Sequence, residues 1–273
     1  TRVRSSAASD VYKRQDIGSS QIRIYSGNKI VLQEASCAAI ENDTGEVVGF
    51  GTDALIRMHS SQSGNYHLVW AIKNGIMTDY DITKEMLRYF INKATHQSVS
   101  RPNVMISVPC ELSEVVRHAL VDVVRHAGVQ SVSLISAPIA AALGAGQILD
   151  LPDTILSVVI GKNLTDCGIY CCGGTVYEKS LAFGGHSIDL GICRFLQKKY
   201  HLMVIPEQAE QLKHEWASCI SGGEQKIFTV RGRRLEDGVE IIIELTNHEL
   251  ALVMQENLMP VVKLIKDVLH YST

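Results

Sequence analysis

Strand-type segments followed by helix-type segments occur twice over in this chain, which indicates an α/β fold in two related halves. The first half opens with "DIGSSQIRIYSGNKIVL" (Asp16 to Leu32), an alternating strand, a Ser26-Gly27-Asn28 turn and a second strand. Two more short strands, "SCAAI" and "EVVGF", flank a turn at Asn42 to Gly45, and "TDALIRMHS" reads as a short helix. Residues 61–80 read as a loop anchored by Trp70, Ile72 and Ile76. "DITKEMLRYFINKA" then places Met86, Leu87, Phe90, Ile91 and Ala94 on one helical face. A buried strand "NVMISVP" follows Pro102, and the amphipathic helix "LSEVVRHALVDVVRHAG" stops naturally at Gly128. The strand "SVSLIS" and the small-residue helix "PIAAALGAG", with Pro138 at its first position, complete this half.

The second half opens with "TILSVVIGKNLTDCGIYCCGGTVYEKSLAFGG" (Thr154 to Gly185), which reads as strand, loop, strand, a tight Gly173-Gly174 turn and a third strand. "SIDLGICRFLQKKY" and "PEQAEQLKHEWAS" read as helices, and "KIFTVRG" and "EIIIEL" as a hairpin. The last helix begins at a capping box formed by Thr246 and Glu249.

A strand, Gly-containing loop and strand is one way to hold a phosphate. The loop after Ile160 nevertheless carries Lys162, Asn163 and Leu164 where a phosphate loop wants glycine and small hydroxyls. It also has Val159 where a metal site wants a carboxylate. The residues alone leave three readings open: a nucleotide site, a former one, or a plain hairpin.

Bulk properties narrow the function classes. A net charge of −3 gives no electrostatic argument for binding nucleic acid or an anionic membrane. The longest apolar stretch, Leu134 to Leu149, is broken by Pro138 and falls short of the ~18 residues a membrane helix needs. The seven cysteines have no framework spacing; Cys167, Cys171 and Cys172 read as reduced, buried thiols on a strand rather than as a metal site. Residues 5–15, "SSAASDVYKRQ", resemble the translation of a transposon-type sequencing adapter, and they show no period, cap or apolar face. Residues 1–15 are therefore expected to be a non-native tail, with the authentic fold beginning at Asp16.

Taken in order, these segments resemble the MreB family, the bacterial actin homologues. "DIGSSQIRIY" is similar to that family's first phosphate motif, "KNGIMTDYDITKEMLRYFINKA" to its first long helix, and "VPCELSEVVRHALVDVVRHAG" to the strand and helix that follow. "PIAAALGAG", "FGGHSIDLGICRFL" and "AEQLKHEWAS" continue the match. The resemblance implies an actin-like α/β fold of two domains around a nucleotide cleft. Domain I would span residues 16–147, with an inserted subdomain at about 29–73. Domain II would span residues 148–273, with an insertion at about 186–249. It also implies a C-terminally incomplete chain, in which further strands would cover part of the apolar face of the last helix.

The resemblance further implies ATP and Mg²⁺ as cofactors, with binding in doubt at this sequence. Asp16 would supply the metal-side carboxylate of domain I, and Gly18 and Ser19 would meet phosphate. Gly161, Thr165, Asp166, Gly184, Gly185, Lys213 and Glu215 match the remaining nucleotide-binding positions. The second metal carboxylate is replaced by Val159, and the acid after the paired glycines by His186. The water-positioning glutamate is replaced by Ala137, so no catalytic residue remains. Lys162 is expected to face solvent as a turn residue, the alternative being a partial substitute for the metal's charge. The implied role is a cytoplasmic filament that assembles head to tail, guides cell-wall synthesis with the elongation machinery at the inner membrane, and sets cell shape. Membrane contact of its own would be weak, since "THQSVSR" offers only Val99. Two other classes remain in view: an active actin-fold ATPase or sugar-kinase-like enzyme, and an actin-fold interaction module that does not polymerise.

Overall fold

The computed structural model describes residues 12–27, 29–60, 64–73, 76–95, 101–220 and 223–271. Residues 1–11 of the expected tail, Asn28 of the first turn, and Val99 lie outside the described residues.

Domain I is built on a five-stranded sheet. Strands β1 (Tyr12–Ile17), β2 (Gln21–Ser26) and β3 (Lys29–Ala35) form an antiparallel meander. After it come β4 (Cys37–Glu41), β5 (Val47–Phe50), helix α1 (Thr52–Ser60) and β6 (Tyr66–Trp70), which form a small subdomain with sheet order β5-β4-β6. The short pair β7 (Ile72–Lys73) and β8 (Ile76–Met77) leads into α2 (Tyr80–Ala94), β9 (Asn103–Val108), α3 (Glu114–His126), β10 (Ser131–Ser136) and α4 (Ala137–Gly144). The main sheet runs β10-β9-β1-β2-β3, with β1, β9 and β10 parallel. The expected face of α2 is the buried one: Met86, Leu87, Phe90, Ile91 and Ala94 pack with Ile22, Ile24, Val104 and Ile106 of the sheet and Val123 and Val124 of α3. Asp79 caps α2 through Ile82 N, and Ser113 caps α3 through Val116 N.

Three expectations for this half are corrected. Within the expected loop 61–80, residues 66–70 are strand β6, which pairs with β4 along its whole length. Of the expected anchors only Ile72 is buried; Trp70 and Ile76 are exposed. The inserted subdomain begins after Ala35 rather than at Lys29, since β3 belongs to the main sheet. Residues 12–15 are also not a tail in space, because β1 is the central strand. Its side chains fit that place poorly. Lys13 and Gln15 are only 6% and 3% exposed, and neither amide atom of Gln15 has a hydrogen-bond partner.

Domain II repeats the meander with β11 (Ile155–Ile160), β12 (Thr165–Cys171) and β13 (Gly174–Leu181). Next come α5 (Gly185–Tyr200), β14 (Leu202–Met203), α6 (Pro206–Trp216), β15 (Ile227–Arg234), β16 (Glu240–Thr246) and α7 (Asn247–His270). The β14-β15-β16 sheet and helices α5 and α6 share a core of Ile192, Leu196, Leu202, Phe228, Val230 and Leu245. Helix α7 starts at the expected capping box, with Thr246 and Glu249 bonding reciprocally. Its first half packs into that core, and its second half covers β12 through Leu264 and Val268. Of the apolar residues of α7, Leu250, Val253, Met254, Val261 and Leu264 are buried within this chain, Leu258 and Ile265 are half-buried, and Leu252, Met259 and Val262 are exposed. The β12–β13 turn is made by Cys172-Gly173, both at positive φ, rather than by Gly173-Gly174.

Candidate functional site: the cleft between the two meanders

β1 and β9 run parallel, with Asp16 beside Ser107, and the segment just past β9 reaches domain II through Cys110 and Glu111, so the halves face each other at the C-terminal ends of these strands, where open α/β sheets bind ligands. On the domain I side, Asp16 Oδ1 accepts from Ser107 Oγ at 3.0 Å, and Oδ2 pairs with Arg23 at 3.4 Å. Gly18 N donates to Gln21 O at 3.0 Å, and a Cβ at Gly18 would lie 2.9 Å from that carbonyl, so the turn requires glycine. Ser19 sits half-buried in the same turn.

On the domain II side, the loop 161–164 is closed by Gly161 N donating to Leu164 O at 2.8 Å. The N-terminus of α5 docks on it. Gly185 N donates to Gly161 O at 2.9 Å, and His186 N to Lys162 O at 2.8 Å. A Cβ on Gly184 would stand 2.5 Å from Gly161 O, which is why the helix can approach so closely. The free N–H groups at a helix start are a ready anion site, and here two of them are occupied by loop carbonyls.

Lys162 does not point to solvent, contrary to the turn-residue expectation. Its ammonium lies 5.4 Å from the ring centroid of Trp70, the last residue of β6, so the loop reaches the small subdomain of domain I. Thr165 is buried, and its hydroxyl donates to Phe183 O at 2.8 Å. Asp166 is buried opposite Val159 in the strand register, and its Oδ1 accepts from Cys110 N and Cys110 Sγ, both at 3.2 Å, and from Ser180 Oγ. A second bridge joins the halves one step along β13: Glu178 Oε1 accepts from Ser136 Oγ at 2.5 Å and from Tyr170 O–H. Burial pushes the Cys110 thiol up to about 12, with Asp166 adding to the rise. Burial, then the bond to Glu178, pushes the Tyr170 phenol far above its ordinary value. Both groups are therefore neutral hydrogen-bonding partners at physiological pH and not nucleophiles.

Of Lys213 and Glu215, only Lys213 reaches the start of α5 beside the loop. Lys213 Nζ bonds Asp189 Oδ1 at 2.6 Å and Gly185 O at 3.1 Å, tying α6 to α5, with side-chain exposures of only 14% for Lys213 and 2% for Asp189. Glu215 is exposed on α6. Ala137 opens α4 beside Ser136.

The comparisons identify this arrangement. The model of the MreB/Mbl protein family matches residues 14–273. The chain is 33% identical to the cell shape-determining protein MreB of Escherichia coli over 254 residues, covering 90% of this chain and 73% of that protein. The chain belongs to the MreB/Mbl family. It is 30% identical to the cell shape-determining protein Mbl of Bacillus cereus over 257 residues, covering 93% of this chain and 77% of that protein. The crystal structure of Spiroplasma citri MreB5 bound to ADP superposes with a TM-score of 0.86 at 22% identity, covering 95% of this chain and 78% of that one. A MamK double helical filament superposes with a TM-score of 0.77 at 15% identity, over 96% and 81% of the two chains. The fold is therefore actin-like, as the sequence segments implied.

Within the MreB/Mbl frame, the fit of the cleft to Mg²⁺ and ATP differs between its two sides. The domain I side keeps a carboxylate, Asp16, and a glycine turn. The domain II side presents the alkyl group of Val159 and an amine already placed over Trp70, which do not fit a hydrated divalent cation. Among the described residues no helix is long and apolar enough to cross a membrane. The bridges through Cys110, Ser180, Glu178 and Trp70 escaped the sequence reading because each joins residues at least 40 positions apart. The one visible signal was the acids Asp166 and Glu178 and the hydroxyl of Ser180 alternating with Cys167, Ile169, Tyr177 and Leu181 on these strands.

Proposed function

We propose that this chain is a cytoplasmic, cell shape-determining cytoskeletal subunit that assembles with itself head to tail, and whose cleft is held by its own side chains rather than by ATP turnover. Family membership over 14–273 supports the cytoskeletal role, and filament formation by the similar MamK supports self-association. The observation that carries the cleft reading is Lys162 on Trp70. A positive charge from the former phosphate loop bridges to domain I where a metal-bound nucleotide would otherwise join the halves. Asp166 on Cys110 and Glu178 on Ser136 reinforce the closure from below. ATP binding, if retained, rests on Asp16, Gly18 and Ser19, and Mg²⁺ dependence is weak because Val159 offers no oxygen. Ala137 can neither orient nor polarise a water, so hydrolysis is lost. By the same family reading, partners are the cell-wall elongation machinery, with membrane contact through them.

The test is sedimentation of the purified protein with and without Mg-ATP, run beside phosphate release. Pelleting filaments without phosphate release support the reading. A protein that stays in the supernatant under both conditions is an interaction module instead, and substantial turnover makes it a working ATPase.

A further inference from the structure

The β12–β13 turn, at the opposite end of its hairpin from Asp166 and Ser180, holds two adjacent cysteines in an unusual arrangement. Consecutive residues of a strand point to opposite faces, which would keep neighbouring thiols apart. Here Cys171 ends β12 and Cys172 enters the left-handed region at φ +51°, swinging its side chain round so that the two Sγ atoms stand 3.7 Å apart. A β-turn of this kind favours Asn or Gly at that position, and a cysteine there carries a backbone cost. The conformation is fixed from outside the turn: Cys172 N donates to Leu151 O at 3.1 Å and Gly173 N to Leu149 O at 2.7 Å. Cys172 is exposed and Cys171 half-buried, and all seven cysteines are free thiols.

Two sulfurs bound at about 2.3 Å to one centre stand about 3.3 Å apart at the near-right angle of a trivalent pyramidal centre and about 3.8 Å apart at a tetrahedral one, so the two thiols need close by only a few tenths of an ångström to share one trivalent ligand atom. Among the described residues no group of three or more His, Cys, Asp or Glu is placed to hold a metal ion. Among the described residues the site therefore offers two protein donors, short of the four of a closed structural zinc centre, and favours a ligand that two thiolates satisfy. We propose that Cys171 and Cys172 form a two-thiol clip that captures one thiophilic centre of the trivalent arsenical class. In the capture step each thiol gives up its proton, two As–S bonds form, the As=O bond of the arsenoxide breaks and one water leaves. No electron is transferred. Cys171 must release its 3.4 Å hydrogen bond to Pro152 O in the process.

Phenylarsine oxide is the probe, read by intact mass after washing with excess monothiol and again after washing with a dithiol. The parent should keep one arsenical per chain through the monothiol wash and lose it to the dithiol. Cys172→Gly should abolish the adduct while melting at or above the parent temperature, because glycine suits the left-handed turn. Cys171→Ser should abolish it also, and Cys219→Ser, which removes an exposed single thiol, should leave it intact. A parent with no adduct after the monothiol wash, or a Cys172→Gly variant that keeps one, overturns the proposal.

Discussion

The ammonium of Lys162 stands over the ring of Trp70, 5.4 Å from its centroid, and so links the loop between β11 and β12 to the small subdomain of domain I. Cation–π pairs are worth about 0.5–1 kcal/mol when exposed and about 2 when desolvated, enough to bias a two-state opening but not to lock it. If the pair holds the cleft, Lys162→Ala and Trp70→Leu should each widen the nucleotide-free protein in small-angle scattering. The double variant should open no further than either single one. In a double-mutant cycle of thermal stability the coupling should be about 0.5–2 kcal/mol. Strictly additive effects would show that the two side chains act independently.

The central strand β1 gives a stability prediction. Lys13 donates a long 3.5 Å bond to Ala94 O, and burial lowers its pKa. Gln15 is buried with its amide unpartnered. An unsatisfied buried polar group costs about 1–3 kcal/mol. Lys13→Val and Gln15→Val should each raise the melting temperature by a few degrees, at about 2–4 °C per kcal/mol for a chain of this size. The lysine's folded pKa is depressed, so its cost is fully present below that value and fades as pH rises toward the unfolded value of 10.5. The gain from Lys13→Val should shrink in the same direction. Equal gains at pH 7 and pH 11, measured by calorimetry, would contradict the burial argument.

Most of the secondary structure was legible because it rests on local rules. The Thr246/Glu249 capping box, the apolar face of α2 and the stop at Gly128 all lie within a few residues of the elements they define. What the sequence hid rests on long-range pairing. Strand β6 owes its form to its register with β4, from Cys37 opposite Trp70 to Glu41 opposite Tyr66. Lys162 looked like a solvent-facing turn residue because nothing near it in sequence announces Trp70. Lys213 does reach the start of α5 at Gly185, but its ion pair with Asp189, an acid set beside Ile188 and Ile192 on the buried face of α5, could not be read from spacing. The reading of Ala137 and Val159 as replaced cleft residues rests on the family resemblance alone, since neither residue breaks a local pattern.

Glu249 is expected to contribute to the acid sensitivity of domain II. Partial burial raises its pKa, but hydrogen bonds from Lys199, Tyr200 and Thr246 outweigh this and bring it down to about 2. A carboxylate depressed in the folded state gives stability that is full above its unfolded value, near 4.5, and is lost as pH falls toward 2. Glu249→Gln should therefore lower the melting temperature at pH 7 and flatten its fall between about pH 4.5 and 2. The check is a melting series across that range. A variant with the parent's slope would place the acid sensitivity elsewhere.

The cleft substitutions predict a non-additive recovery of ATP hydrolysis. Loss of one group that positions or stabilises the reacting centre commonly costs a factor of about 10² or more, and groups that act as a unit do not contribute separately. Ala137→Glu alone should restore little, because Val159 still offers no oxygen and Lys162 still lies on Trp70. Val159→Asp with Lys162→Gly and Asn163→Gly should return the glycine loop and free Trp70, strengthening the Mg²⁺-dependent thermal shift with ATP more than turnover. Asp16→Ala on that background should remove the shift, since Asp16 supplies the carboxylate of domain I. Only the four substitutions together should release phosphate at a rate well above the parent. The measurement is phosphate release at saturating Mg-ATP for the parent, the two partial variants and the combination. If the parent already turns over as fast as the combination, Ala137 and Val159 are not the lesions, and Lys162 has become part of a working site.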